Sequence, residues 1–541
     1  MPRLEDLPGD VVATVLLLLP LSDRGRCACV CRAWRQLTST LAAAWIVLDF
    51  RQLRHADDGV LRALTTRARG ELVWLACEES CLAPGVALQV ARANSKLQFL
   101  RVESRSEDRE RSRWTSAEAV ACLSSVTRLQ ASLFLTSAAS LDGVPALLQA
   151  GRLCTLRLER CLLEDAEAAV LAEATANSAS VLEHLSVRFN SLGPTGCQHL
   201  AHLAARGGLR SLQLGFNPVG DSGVRALAAV LHGETCRLEH LDLRHCGIHS
   251  LGAVALAAAL PGSKLETLVL EHNHIGQEGA SSLGAVLQLW HSCPLRHLNV
   301  SSCDIGPGVA AFSAKVLSRL THLYLSFNSM HTHLARTLAH ALAHNTSLVA
   351  LDVSRNALMD EGVRELCVAL RTHPALQELH LGQTAMTREG ARRVAGLVRN
   401  CPKLRFLDVS GNALERSGGC VLATALEDSC GSLEELVMAS TQVDDTVAYA
   451  LARALWTPGG RSMSRIVLDD NVLGNDGATA LATACRRGAL ASLSIGGIFL
   501  TLRDAGATAL RAAVEHRCGA LTVLGLPEIE TYCQGEVIQT Y

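Results

Sequence analysis

From Leu153 onward, apolar positions recur as L-x-x-L-x-L-x-x-(N/C)-x-L, often followed by G-x-x-G and an Ala-rich stretch. Copies start at Leu153, Leu182, Leu209, Leu238, Leu265, Leu295, Leu320, Leu348, Leu376, Leu404, Leu433, Met463 and Leu490, with a half copy at Leu521. Their spacings run from 25 to 31 residues. The ninth slot reads Cys161, Asn190, Asn217, Cys246, Asn273, Cys303, Asn328, Asn356, Thr384, Asn412, Thr441 and Asn471, a regularity that random apolar clustering would not produce. The L-x-L core has period two and predicts a short strand with its Leu residues inward and its x residues outward. The chain then turns at Asn or Cys, where a buried amide satisfies backbone groups of its own and the neighbouring coil. Losing one such partner costs about 1–3 kcal/mol. Segments such as Gly220-Asp221-Ser222-Gly223 and Gly474-Asn475-Asp476-Gly477 place polar residues where a helix starts. An Ala-rich helix follows, as in Val224-Arg225-Ala226-Leu227-Ala228-Ala229.

One such unit leaves a face of its strand and helix uncovered, and stacking buries those faces in a continuous core. The expected fold is α/β: a solenoid horseshoe, with a parallel sheet on the concave side and helices on the convex side. The pattern resembles leucine-rich repeats of the ribonuclease-inhibitor type, and the Asn/Cys alternation from Asn217 through Asn328 is close to that subclass. Regular repeats are expected over 153–526 and a tail over 527–541. Degenerate repeats are expected over 46–152, around Leu72-x-x-Leu75-x-Cys77, Leu97-x-x-Leu100-x-Val102 and Val126–Leu135. The charge run Ser104–Arg113 reads as a surface loop.

Residues 1–45 do not follow the repeat. Pro8 can begin a helix whose apolar set is Val11, Val12, Val15, Leu16 and Leu19, and Pro20 ends it. A second helix carries Cys27, Val30, Cys31 and Trp34 on one side. Helices this short do not bury their own apolar faces well and need a partner. The order Leu7-Pro8, an i/i+3/i+4 apolar set, Asp23, then Val30-Cys31-x-x-Trp34 resembles an F-box, without a gap from Leu7 to Trp34. The family usually has an apolar residue after the Asp, and this chain has Arg24-Gly25. The resemblance implies docking onto the Skp-type adaptor of a cullin-RING ubiquitin ligase. The matching positions are Leu7, Pro8, Val11, Val12, Val15, Leu19, Val30, Cys31 and Trp34. The bland alternative is a cap for the end of the solenoid.

Composition narrows the picture. A net charge of −2 with no basic block argues against a dedicated nucleic-acid surface. Twenty cysteines could suggest a secreted disulfide protein. Cys161, Cys246 and Cys303 instead hold the turn slot, and most others fall inside apolar runs, as expected of free thiols in a reducing compartment. The apolar run Val11–Leu21 has acidic rather than basic flanks and is too short to span a bilayer. The expectation is an intracellular protein, in cytoplasm or nucleus, with no membrane insertion.

Outward strand positions supply the expected target-binding surface: His184, Arg188, His240, Arg244, His297, His322, Tyr324, Asp352, His380 and Asp408. It is polar, of mixed sign, basic or His-rich through Arg244 and acidic from Asp352. Four His fall in one column, but His184 and His240 lie two repeats apart, roughly 10 Å, and cannot share an ion. No metal or cofactor is expected. Signatures of phosphate-binding loops, dinucleotide sites, zinc proteases and serine hydrolases are missing from the sequence. The leading expectation is therefore a non-catalytic substrate receptor of an SCF-type ligase, its F-box on the adaptor and its repeats on an unidentified target protein. The alternatives are a leucine-rich-repeat regulator of a small GTPase and a general protein-interaction scaffold.

Overall fold

The computed structural model describes residues 47–49, 74–78, 99–103, 132–135, 144–149, 154–176, 182–289, 293–429, 432–487, 490–496, 504–516, 522–524, 531–533 and 536–538. The F-box-like segment, with Leu7 through Trp34, and the charge run Ser104–Arg113 lie outside them. The described residues fall into two compact units, one up to Gly247 with Gly262–Leu265, the other Ile248–Pro261 with Glu266 onward.

In the first unit, Val47–Asp49, Trp74–Glu78 and Phe99–Glu103 form a three-stranded parallel sheet, so the expected degenerate repeats at Leu75 and Leu100 do form strands. Ser132–Leu135, Thr155–Leu158, His184–Ser186, Ser211–Gln213 and His240–Asp242 pair in parallel, each repeat aligned with the same position of the next. Helices Asp165–Ala174, Pro194–Ala205 and Gly220–Leu231 alternate with the last four of these strands.

The second unit repeats the theme through parallel strands from Thr267–Val269 to Thr522–Leu524, with helices such as Gly276–Leu289, Met359–Leu370 and Arg388–Asn400 between them. One repeat departs. The copy starting at Leu295 carries a 3-10 turn, Gly306–Ala311, and a single-turn helix, Ala314–Leu317, in place of a full helix. Its spacing to Leu320 is 25 residues, the shortest in the chain, too few for a regular helix and its connections. Phe312 fills the space and is 1% exposed. The expected tail contains an antiparallel pair, Thr531–Cys533 with Glu536–Ile538.

The period-two expectation holds at the strand centres, while the flanking residues Ser186, Asp242, Val269, Ala350, Val467 and Ser494, expected outward, are buried as well. The strand-centre residues Leu156, Leu185, Leu212 and Leu241 are buried in the first unit, as are Leu298, Leu323, Leu351, Leu379 and Leu407 in the second. Burying each such side chain stabilises the chain by about 1.5–3 kcal/mol. The ninth slot works as its chemistry requires. Asn190 Nδ2 donates to Leu158 O one repeat back and to Val187 O in its own, while Oδ1 accepts from the N–H groups of Cys161 and Leu163. Cys303 fills the slot with a weaker donor, its Sγ bonding Leu270 O and Ser301 O. Burial pushes the Cys161, Cys246 and Cys303 thiols up to about 12, which keeps them protonated and unreactive.

The residue just before that slot is left-handed in each copy: Arg160, Phe189, Phe216, His245, His272, Ser302, Phe327, Arg355, Gln383, Gly411, Ser440 and Asp470 all have positive φ. Non-Gly residues rarely adopt this conformation, and it recurs here whether the following slot holds Asn, Cys or Thr, so the inter-repeat ladder imposes it. The G-x-x-G signal has a separate cause. A Cβ on Gly196 would lie 2.5 Å from Asp165 Oδ1, and one on Gly279 would lie 2.7 Å from the Ala253 Cβ. Glycine at this slot therefore lets the next repeat approach closely. Asp165 uses that closeness, accepting from Gly193 N at 2.7 Å.

Candidate functional site

In both units the strands present their first and third residues on one face, continued by the fifth residue before the turn. The expected target-binding residues fall on this face, in two groups.

In the first unit, matching positions of three successive repeats are Arg188, Gly215 and Arg244, following the register Ser186, Gln213, Asp242. Asp242 is buried, and Arg244 Nε donates to both of its carboxylate oxygens at 3.0 Å. The register explains the pair, because residues i and i+2 of a strand share a face. Arg188 Nε stands 4.0 Å from Asp242 Oδ2. The Phe189 and Phe216 rings stack with centroids 4.2 Å apart, and the Arg188 guanidinium lies 5.2 Å from one and 5.9 Å from the other. The left-handed backbone at both Phe positions brings these rings beside the strand face. His184 is exposed, and Ser211 separates it from His240 across the sheet, so the two do not form a pair.

In the second unit, His297 and His322 are register partners, and their rings stack at 3.9 Å. Tyr324 is 6.5 Å from His322 by centroid, and His380 packs against Phe406 at 4.6 Å. Asp352 accepts from Ser354 N and Oγ, and Asp408 accepts from Ser410 N, so both carboxylates also brace their own turns. Burial holds His297 below the usual imidazole range. His322 is lowered by burial and then by the neighbouring His297. The Tyr324 hydroxyl is raised by burial and by the charges of Glu378 and Asp352.

Both imidazoles thus bind protons less readily in the folded chain than in the unfolded chain, where the ordinary pKa is about 6.5. The stability they supply is present above that value and is lost as pH falls toward the depressed folded values. Acidification from about pH 7.5 to about pH 5.5 should lower Tm, and the fall should shrink when His297 and His322 are both replaced by Phe. A pair-substituted chain with the same Tm fall as the parent would contradict this.

Among the described residues no group of three His, Cys, Asp or Glu side chains could hold a metal ion. Also among them, no helix is long and apolar enough to cross a membrane. The expected site residues did not include Asp242, Phe189, Phe216, Glu378 or Phe406, all now part of these groups. Asp242-x-Arg244 was a usable signal, because a carboxylate and a guanidinium two apart on a strand must meet. The Phe stack had none, since it depends on the left-handed turn.

Two family models agree with this architecture. A family model of the F-box domain matches residues 4–42, which contain the whole Leu7-to-Trp34 pattern. A Leucine Rich repeat model matches residues 209–228, 236–257, 263–284, 291–308, 344–367 and 400–423. Among curated protein sequences, none matches the chain. Of solved structures, an internalin (inlF) from Listeria monocytogenes is similar at 18% identity, over 66% of this chain and 82% of that one, with a TM-score of 0.39. A TLR13–ssRNA13 complex is similar at 16% identity, over 86% of this chain and 60% of that one, with a TM-score of 0.45. The chain thus carries an F-box domain and leucine-rich repeats. Its two kinds of domain are typically non-catalytic interaction modules.

Proposed function

We propose that the chain is the substrate-recognition subunit of an SCF-type cullin-RING ubiquitin ligase. Its F-box docks on the Skp-type adaptor, and the outward face of its repeats grips a target protein. The observation that carries this reading is the F-box domain at 4–42 in the same chain as the repeats. Such a subunit makes no bond itself. It raises the effective concentration of a target lysine near the charged conjugating enzyme. The adaptor contacts are Leu7, Pro8, Val11, Val12, Val15 and Leu19, with Val30, Cys31 and Trp34 shared between interface and core. The target contacts are the polar residues of both strand-face groups. The protein works inside the cell, in cytoplasm or nucleus, where its thiols stay reduced.

Replacing Leu7, Pro8 and Val15 together with Ala should weaken binding of the full chain to purified Skp-type adaptor by about 100-fold, as expected when clustered apolar anchors are truncated. The circular-dichroism spectrum should not change. Undiminished adaptor binding by this variant would sink the proposal.

A further inference from the structure

In the second unit, register places His322, Ala350, Glu378 and Phe406 in one row of the outward strand face and Tyr324, Asp352, His380 and Asp408 in the next. Ser326, Ser354, Gly382 and Ser410 continue that face, which therefore holds Asp352, Glu378 and Asp408 and no Lys or Arg. Among the described residues these carboxylates pair with no Lys or Arg. The Asp352 and Asp408 side chains accept from Ser354 and Ser410 in their own turns, and the Glu378 side chain has no hydrogen-bond partner. Arg355 is exposed at the left-handed turn slot and pairs with none of them. Two neighbouring cations are already taken, Arg405 by Glu434 at 3.4 Å and Arg465 by Glu435 at 3.3 Å. By strand spacing the three carboxylates lie roughly 5–10 Å apart, so they repel one another without relief from a basic side chain. Aromatic rings stand beside them. Tyr324 and Asp352 are register partners, as are Phe406 and Glu378, and all four are partly exposed. Asp352 and Glu378 both act on the Tyr324 hydroxyl, which places that ring within reach of their charge. A ring face next to a carboxylate holds a guanidinium or ammonium by two attractions at once.

We propose that this face docks a basic segment of a partner protein, one Lys or Arg seated at Tyr324–Asp352 and a second at Phe406–Glu378, with Asp408 beside it. The two ring–carboxylate pairs are two strands apart, roughly 10 Å, which an extended chain covers in about three residues. That spacing asks for two charges on one chain and not for a lone cation. Among the described residues no group of three His, Cys, Asp or Glu side chains could hold a metal ion here instead. The inference rests on the reading of the strand face as the target-gripping surface.

A random peptide-display library selected on the full-length chain tests this. The parent chain should enrich peptides with two Lys or Arg a few residues apart, and added salt should weaken their binding. Asp352→Asn with Glu378→Gln keeps side-chain volume and the acceptor that Ser354 uses, and should weaken the selected peptides on the order of tenfold, as expected for two partly exposed ion pairs. Glu378→Gln alone removes no hydrogen bond within the chain and should give part of that loss at an unchanged Tm. Phe406→Leu keeps an apolar side chain, removes the ring, and should also weaken binding. Selection of neutral or acidic peptides, failure to select any, or basic enrichment that survives the double substitution overturns the proposal. Affinity untouched by Phe406→Leu overturns it too, since charge alone would then explain the binding. So does a dimer of the chain that Glu378→Lys dissociates, because a second copy would be the occupant. Adaptor binding is measured in parallel on the same proteins. A parent chain that selects basic peptides and binds no adaptor removes the ligase reading and leaves the basic-segment site standing, whereas a failed selection with adaptor binding intact removes that site alone.

Discussion

Replacing Asn328 with Ala should destabilise the second unit by about 3 kcal/mol or more, read as a lowered urea midpoint. Asn328 is 0% exposed. Its Nδ2 donates to Val300 O at 2.7 Å, Leu325 O at 3.1 Å and Ser326 O at 3.3 Å. Its Oδ1 accepts from Cys303 N and Ile305 N, both in the preceding repeat. The substitution leaves two buried N–H groups of that repeat without this acceptor, in a space water reaches poorly. Each such group costs about 1–3 kcal/mol. The loss falls on the interface between two repeats, and solenoid stability is carried by such nearest-neighbour interfaces. The transition should therefore broaden as well as shift. Asn328→Asp keeps an acceptor but loses the donor and buries a charge, so it should not rescue stability near pH 7. A loss below about 1 kcal/mol for Asn328→Ala would contradict the role given to this slot.

Phe312→Ala should cost a similar amount, about 3–5 kcal/mol. The short repeat between Leu295 and Leu320 lacks the full helix that covers its neighbours, and the ring of Phe312 substitutes for it. Removing the ring leaves a cavity that the surrounding Val309, Val316 and Leu317, themselves fully buried, fill only in part. Phe312→Leu retains most of the volume and should cost less than about 1.5 kcal/mol. Equal losses from the two substitutions would show that the site collapses freely and that the ring is not the filler.

Much of this architecture was readable before any coordinates. The period-two core predicted each strand, and the ninth slot predicted a buried ladder of Asn, Cys and Thr, because few side chains can pair with backbone groups on both sides of a turn. The irregular repeat was visible only as a short spacing. Its 3-10 turn follows from that spacing and not from Gly306-Pro307, since Gly193-Pro194 at the same slot opens the full helix Pro194–Ala205. The left-handed residues at the eighth position were not legible, because Arg, Phe, His, Ser, Gln and Asp share no side-chain preference for that conformation. The ladder imposes it. The candidate site was legible as columns and not as groups. His297 and His322 were visible as neighbours, and their stacking depends on ring orientation. Arg188 and Arg244 were visible as members of one column, and the close packing of Arg244 over Gly215, where a Cβ would lie 2.8 Å from its Cγ, was not.

The two-part receptor is tested most directly by comparing proteins that co-purify with the parent chain and with its Leu7, Pro8, Val15 to Ala variant, and by measuring ubiquitin attachment on those proteins in the same cells. The account predicts that one set of proteins binds both chains through the repeats but is ubiquitylated above background only with the parent, while adaptor and cullin are lost from the variant. Equal ubiquitylation of that set with both chains would contradict it.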